Sequence, residues 1–224
     1  MSEEKGIYFS TAEFFILLEL AGQSRCTLLD SGEIPNDTEL RQAFVSLFQR
    51  KLIEPTGKDF ALLGKGKNFV EIKQAPYAVS ITWRQPYPRR ALCYVTENAL
   101  WLAELVDVIL TAQYRIRRLH RREMIRWLLE TGLLTLPSLT NADTKEMKAL
   151  LFNSMEELSG STALSLEKYR NGGGLVTSYE MFRRRGYKFI RIRDNGDCEV
   201  KMYTKETVKW MLKDCFGSDK YDYC

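Results

Sequence analysis

A single histidine, His120, and five scattered cysteines limit the chemistry open to these 224 residues. A nucleophilic triad needs its histidine beside an acid and a nucleophile, and no such pattern surrounds His120. Count alone excludes HExxH motifs and zinc sites with two histidine ligands. His120 instead precedes an amphipathic run, where it reads as a helix-start residue. Cys26, Cys93, Cys198, Cys215 and Cys224 are odd in number and include no CxxC, which suits reduced cysteines packed as small hydrophobes. The glycine-rich stretches Asn171–Gly174 and Gly64–Lys67 lack the Gly-Lys-Ser/Thr and helix start of a phosphate loop, so both read as hairpin turns. Glu156 and Glu157 point in different directions on a helix, and Asp194, Asp197 and Glu199 surround a turn without the ligand order of an EF-hand. The chain is therefore expected to be non-enzymatic, with no catalytic, cofactor-binding or metal residues.

Recognition is where the sequence offers material. Arg115, Arg117, Arg118, Arg121, Arg122 and Arg126 form one basic group. Arg183, Arg184, Arg185, Lys188, Arg191 and Arg193 form another, with Tyr187 and Phe189 interleaved. Arginines among aromatics on a sheet can stack on bases and contact phosphate. They equally fit a solvated sheet face guarded against edge pairing, or an acidic protein partner. A net charge of only +4 is weak support for nucleic acid. A second candidate surface, for a protein partner, joins two loops to nearby strand aromatics. Its residues are Trp83, Pro86, Tyr87, Pro88, Tyr169, Gly172, Gly173, Gly174 and Tyr179, since loops on a rigid sheet carry recognition and aromatics anchor interfaces. The competing reading makes the loops plain connectors and the aromatics core.

The elements that would position these residues begin with a helix over Ser10–Ala21. Ser10 and Glu13 form an S-x-x-E capping box and Gly22 stops it. A short apolar segment, Cys26–Leu29, reads as a small second helix. Pro35-Asn36-Asp37 introduces a third, Thr38–Lys51, with Leu40, Phe44, Leu47 and Phe48 expected on its buried side. Leu52-Ile53 and Phe60–Leu63 then read as a small hairpin. Helix, short helix, helix, hairpin is the order of a winged helix-turn-helix. As a DNA reader its third helix would present Arg41, Gln42, Gln49 and Arg50, with Glu39 and Val45 unfavourable on the same face. Winged helices also bind proteins, so the element alone does not decide function.

From Tyr77 the period becomes alternating. Strands are expected over Tyr77–Trp83, Ala91–Thr96, Leu100–Leu105 and Tyr114–Leu119, with Val106–Ala112 ambiguous, followed by a helix over Arg121–Thr131. After a connector at Thr135–Thr144 and a helix near Asp143–Leu158, the pattern recurs. Strands Ala163–Arg170, Leu175–Phe182, Tyr187–Arg193 and Cys198–Tyr203 lead into helix Thr204–Cys215. Asn195-Gly196 is a strong two-residue hairpin signal. Superposing Trp127 on Trp210 aligns Ile125 with Val208, Leu128 with Met211 and Leu129 with Leu212. The expected class is α+β: a winged-helix-like element over 1–74, a sheet-plus-helix unit over 75–136, and a connecting helix with a second such unit over 137–224. The repeats would superpose with the two tryptophans in equivalent packing positions.

Apolar residues at 45% and charged residues at 28% describe an ordinary globular composition. No apolar run approaches a membrane span, and the acidic MSEEKGIYFS start lacks a signal-peptide layout, so a cytoplasmic location without membrane contact is expected. The runs ELRQAFVSLFQRKLIEPTGKDFALLGKG, YAVSITWRQPYPRRALCYVTENALWLAEL and YRIRRLHRREMIRWLLETGLL resemble, in pattern and element order, the EspG-like chaperones of ESX (type VII) secretion and their Gram-positive relatives. That resemblance implies a winged-helix-like start, a quasi-symmetric body with large twisted sheets, no catalytic residues and no cofactor. It implies a cytosolic protein that holds helical secretion substrates. The alternative class is a winged-helix DNA-binding regulator. Neither fixes an oligomeric state.

Overall fold

The computed structural model describes residues 6–22, 35–83, 89–108, 111–135, 162–171, 173–184 and 187–217. It is of the α+β class, with antiparallel strands and short helices. The expected helices at Cys26–Leu29 and Asp143–Leu158 lie outside the described residues. The chain divides into two compact units. One comprises Met1–Ala78, Ala91–Leu119 and Arg170–Gly174, and the other Val79–Arg90, His120–Tyr169 and Leu175–Cys224. Both units draw on separated stretches of chain, whereas boundaries near residues 75 and 137 would cut it into contiguous pieces.

In the first unit, strand β1 (Ile7–Ser10) runs into helix α1 (Thr11–Leu20), and helix α2 (Asp37–Gln49) is followed by the β2–β3 hairpin (Ile53–Thr56 and Asp59–Leu62). A 3-10 turn over Gly64–Asn68 leads into helix α3 (Phe69–Lys73), a correction to the hairpin turn expected at Gly64–Lys67. Close packing explains the glycine there: a Cβ on Gly66 would sit 2.3 Å from the Leu52 carbonyl oxygen. Strands β5 (Arg89–Val95), β6 (Leu100–Val108) and β7 (Thr111–Leu119) complete the unit, in the order β1-β7-β6-β5. Of the ambiguous Val106–Ala112 stretch, residues 106–108 extend β6 and residues 111–112 begin β7, in a register that runs from Leu100↔Leu119 to Val108↔Thr111.

One face of this sheet packs on the N-terminal helices. Phe14 stacks on Tyr114 at 4.7 Å between centroids, and Phe69 meets the Phe9 ring edge-on at 5.6 Å. Leu17, Leu18, Leu47, Ile72 and Leu92 fill the same core. The S-x-x-E box is formed as expected, the Glu13 amide donating to Ser10 Oγ at 3.2 Å and the Ser10 amide to Glu13 Oε2 at 2.9 Å. Helix α2 has a box of its own, in which Asn36 accepts from the amides of Thr38 and Glu39 while Glu39 accepts from the Asn36 amide.

In the second unit, β4 (Tyr77–Trp83) and strands β8 (Thr162–Arg170), β9 (Leu175–Arg184), β10 (Tyr187–Asp194) and β11 (Asp197–Met202) lie in the order β4-β8-β9-β10-β11. Alternation carries β4, where Val79, Ile81 and Trp83 are buried and the residues between them only partly so. The Asn195-Gly196 turn has φ of 48° and 95°, as a tight primed hairpin turn requires. Helices α4 (Arg121–Glu130) and α5 (Lys205–Phe216) start at His120 and Thr204. Their aligned positions Ile125 and Val208, and Leu128 and Met211, are buried alike. The tryptophans are not: Trp127 is 7% exposed and meets Trp83 edge-on at 6.1 Å, while Trp210 is 47% exposed and meets Tyr179 edge-on at 5.8 Å. Trp210 loses its core position because α5 buries Val208, Met211, Leu212, Cys215 and Phe216, a stripe that leaves position 210 at its margin.

Trp127→Ala should therefore destabilise the protein by about 3–5 kcal/mol, the range for deleting a buried large aromatic. Trp210→Ala should destabilise by about 1 kcal/mol. Urea unfolding of the two variants checks the difference, and equal losses would contradict the unequal burial.

Candidate functional site

Of the strand aromatics expected to anchor a partner, Trp83 and Tyr179 are core residues. Trp83 is only 8% exposed against Trp127. Tyr179 is fully buried and donates its hydroxyl to Asp214 Oδ2 at 2.7 Å, while Lys168 Nζ donates to Asp214 Oδ1 at 2.7 Å. Burial, and then the bond to Asp214, push the Tyr179 hydroxyl far above the usual tyrosine range. Tyr169 is half-buried and donates to Glu167 Oε2 at 2.8 Å. Gly173 and Gly174, at φ of 92° and 122°, form the β8–β9 turn, with the Arg170 amide donating to the Gly174 carbonyl at 3.0 Å. Pro86, Tyr87, Pro88 and Gly172 lie outside the described residues. The aromatics are buried because both belong to the inward set of a two-residue strand period, which sequence alternation cannot assign to core or partner.

The outer face of α2 departs from expectation in a more useful way. Only Ala43 and Leu47 of this helix are fully buried. Phe44 is partly buried and meets Phe60 of β3 at 5.1 Å. Phe48, expected in the core, is 54% exposed, Val45 is 57% exposed and Phe60 41%. Positions 44 and 48, four apart, and 45 and 48, three apart, adjoin on a helix, so these side chains form one apolar strip. Arg41, Gln42 and Gln49 are exposed beside it.

Arg50, the fourth residue of the DNA-reading set, is engaged within the fold. Its Nη1 donates to Glu13 Oε1 at 3.0 Å and its Nη2 to the Tyr8 carbonyl at 3.0 Å, with the guanidinium 4.9 Å from the Phe9 ring centre. Other basic residues are matched in the same manner. Glu104, 9% exposed, accepts from Arg115 Nε and Nη2 at 3.0 and 2.7 Å and from Arg117 Nη2 at 2.6 Å. Arg118 lies 3.3 Å from Glu71, and Arg191 and Arg193 flank Glu180 at 2.8 and 3.4 Å. Arg121 donates to the Phe216 carbonyl at 3.0 Å. Five of the basic residues are thus paired with three glutamates, Glu104 and Glu180 each taking two arginines and Glu71 one. His120 caps α4, its amide donating to Glu123 Oε2 at 2.7 Å.

Arg183 and Lys188 are arranged differently. They stand directly opposite each other in the β9–β10 register. They border a pocket of about 110 Å³ in the second unit, whose lining includes Leu164 and Met181. Lys188 Nζ donates to Thr135 Oγ1 and sits 5.4 Å from the Tyr203 ring centre. The Tyr203 hydroxyl donates to the Thr135 carbonyl at 2.6 Å. Burial and then the Arg183 charge hold the Lys188 ammonium below the usual lysine range, and burial raises the Tyr203 hydroxyl. Cross-strand basic residues were visible in the sequence, but their register was not.

Searches of protein-family models and of curated proteins find no match to this chain. No helix among the described residues is long and apolar enough to cross a membrane.

Lys188→Met should remove the like-charge opposition and raise stability at pH 7 by about 0.5 kcal/mol. Because the folded state lowers the Lys188 pKa, the unfolded chain binds more protons between that value and the ordinary 10.5. Wild-type stability attributable to this lysine therefore rises with pH across that window. The advantage of Lys188→Met should shrink as pH approaches 10.5. Denaturant midpoints of both proteins from pH 7 to 10 test the sign.

Proposed function

We propose that the protein is a non-enzymatic, cytoplasmic protein-binding or chaperone-like protein that engages its partner through the outer face of α2. The observation that carries this is the exposed pair Val45 and Phe48, half-open to solvent on a helix whose neighbouring arginine is engaged elsewhere, with Phe60 of β3 exposed beside Phe44. Exposed aromatic and aliphatic groups gathered on one helix face favour a protein partner, where burying them supplies the binding energy. A duplex offers them little, since DNA affinity comes chiefly from cations on phosphate. Arg41, Gln42 and Gln49 would carry the DNA-binding alternative, without the help of Arg50. The resemblance to type VII secretion chaperones supplies the partner class: a helical secretion substrate, held by an apolar surface until export.

The test uses purified small helical-hairpin proteins of the WXG type from the same organism, titrated calorimetrically against this protein. A one-to-one complex is expected, weakened at least about thirtyfold by combining Val45→Asp with Phe48→Asp, as for a pair of interface anchors. Both residues are exposed, so the melting temperature should hold. Undiminished binding by a folded double variant would overturn the assignment of the face. A sequence-selective duplex complex, lost in the Arg41→Ala/Gln42→Ala variant, would favour the regulator instead.

A further inference from the structure

The Arg183–Lys188 pair is placed differently from Arg115, Arg117, Arg118, Arg191 and Arg193 among the described strand residues. Arg115 and Arg117 share Glu104, Arg118 lies against Glu71, and Arg191 and Arg193 share Glu180. Arg183 and Lys188 face each other in register with no acidic residue among the described residues lining their pocket. Like charges directly opposed across two strands are unfavourable unless an anion lies between them. Burial adds to this, because Lys188 gives up part of its hydration without gaining a carboxylate. Beside the two cations the lining is apolar, with Leu164 and Met181 paired in register on the strands that border it. A bare inorganic anion would satisfy the cations and leave that lining unused. At about 110 Å³ the space is smaller than the ~150 Å³ cavity known to admit benzene, which limits the apolar part to a short branched chain.

We infer that this pocket binds a carboxylate carried on a short branched aliphatic group, its carboxylate bridging Arg183 and Lys188 and its chain lying on Leu164 and Met181. The guanidinium supplies paired N–H donors suited to a carboxylate and the ammonium supplies a point charge. Two sources present this chemistry: a free branched-chain carboxylic acid, and the C-terminal residue of a peptide ending in leucine. The site belongs to the second unit and does not depend on the α2 face.

The full-length protein is titrated at low salt with 4-methylpentanoate, with a tetrapeptide ending in leucine as its free acid, and with the same peptide as its C-terminal amide. Saturable binding of an acid is expected, with the amide, Arg183→Gln and Lys188→Met each weakening it at least about tenfold, the loss for one charged hydrogen bond. Binding of both acids identifies a small-molecule site, and binding of the peptide acid alone identifies a C-terminus site. Wild-type methyl NMR gives a second readout that needs no variant: shifts at Leu164 and Met181 on adding whichever acid binds. Absence of saturable binding by either acid, equal affinity for acid and amide, or methyl shifts confined to other residues would overturn the inference.

Discussion

The carboxylate of Glu13 carries the first unit. It is 6% exposed, too buried to stand alone, and four donors meet it or its capping partner. Oε2 accepts from the Ser10 amide, closing the start of α1. Oε1 accepts from Ser46 Oγ at 2.6 Å and Arg50 Nη1 at 3.0 Å, both from the far end of α2. One side chain thus terminates one helix and fixes the end of another. Arg50 extends the tie to β1 through the Tyr8 carbonyl and the Phe9 ring. A buried charge missing one of its partners is strongly destabilising, so these groups are committed to one another. The consequence reaches function: the guanidinium best placed beside the outer face of α2 serves the fold, and the apolar strip beside it remains open.

The same rule, that a cation leaving water takes a carboxylate with it, organises the strands. Glu104 and Glu180 each gather two arginines from a neighbouring strand, which halves the positive charge of each pair. Arg183 and Lys188 stand out against that background because their register opposes them and no acid lies among the described residues lining their pocket. Two features of unlike character therefore remain available to partners, the apolar strip of the first unit and the cationic pocket of the second.

Period and turn chemistry made most strands legible. Alternation over Tyr77–Trp83 and the Asn195-Gly196 turn are local signals, and both match the fold closely. The Ser10–Glu13 box was equally local. What alternation could not give was which face of a strand meets core, and so Trp83 and Tyr179 were equally readable as anchors. Strand β1 was missed because four residues from Ile7 to Ser10 become a strand only by pairing with β7, more than a hundred residues away. Helix α3 is five residues long, too short for a helical period to show. Phe48 was assigned to the core on helical spacing, yet it is 54% exposed. The Glu13–Arg50 tie spans 37 positions and left no trace in either local pattern.

The direct test of Arg50 as a fold residue is a double-mutant cycle combining Glu13→Gln with Arg50→Met, read by urea unfolding at neutral pH and low salt. A coupling of about 1.5 kcal/mol between the two sites is predicted, as expected for a close, partly buried charged pair. A coupling below about 0.3 kcal/mol, the level seen for independent sites, would contradict it and return Arg50 to the set of groups free for recognition.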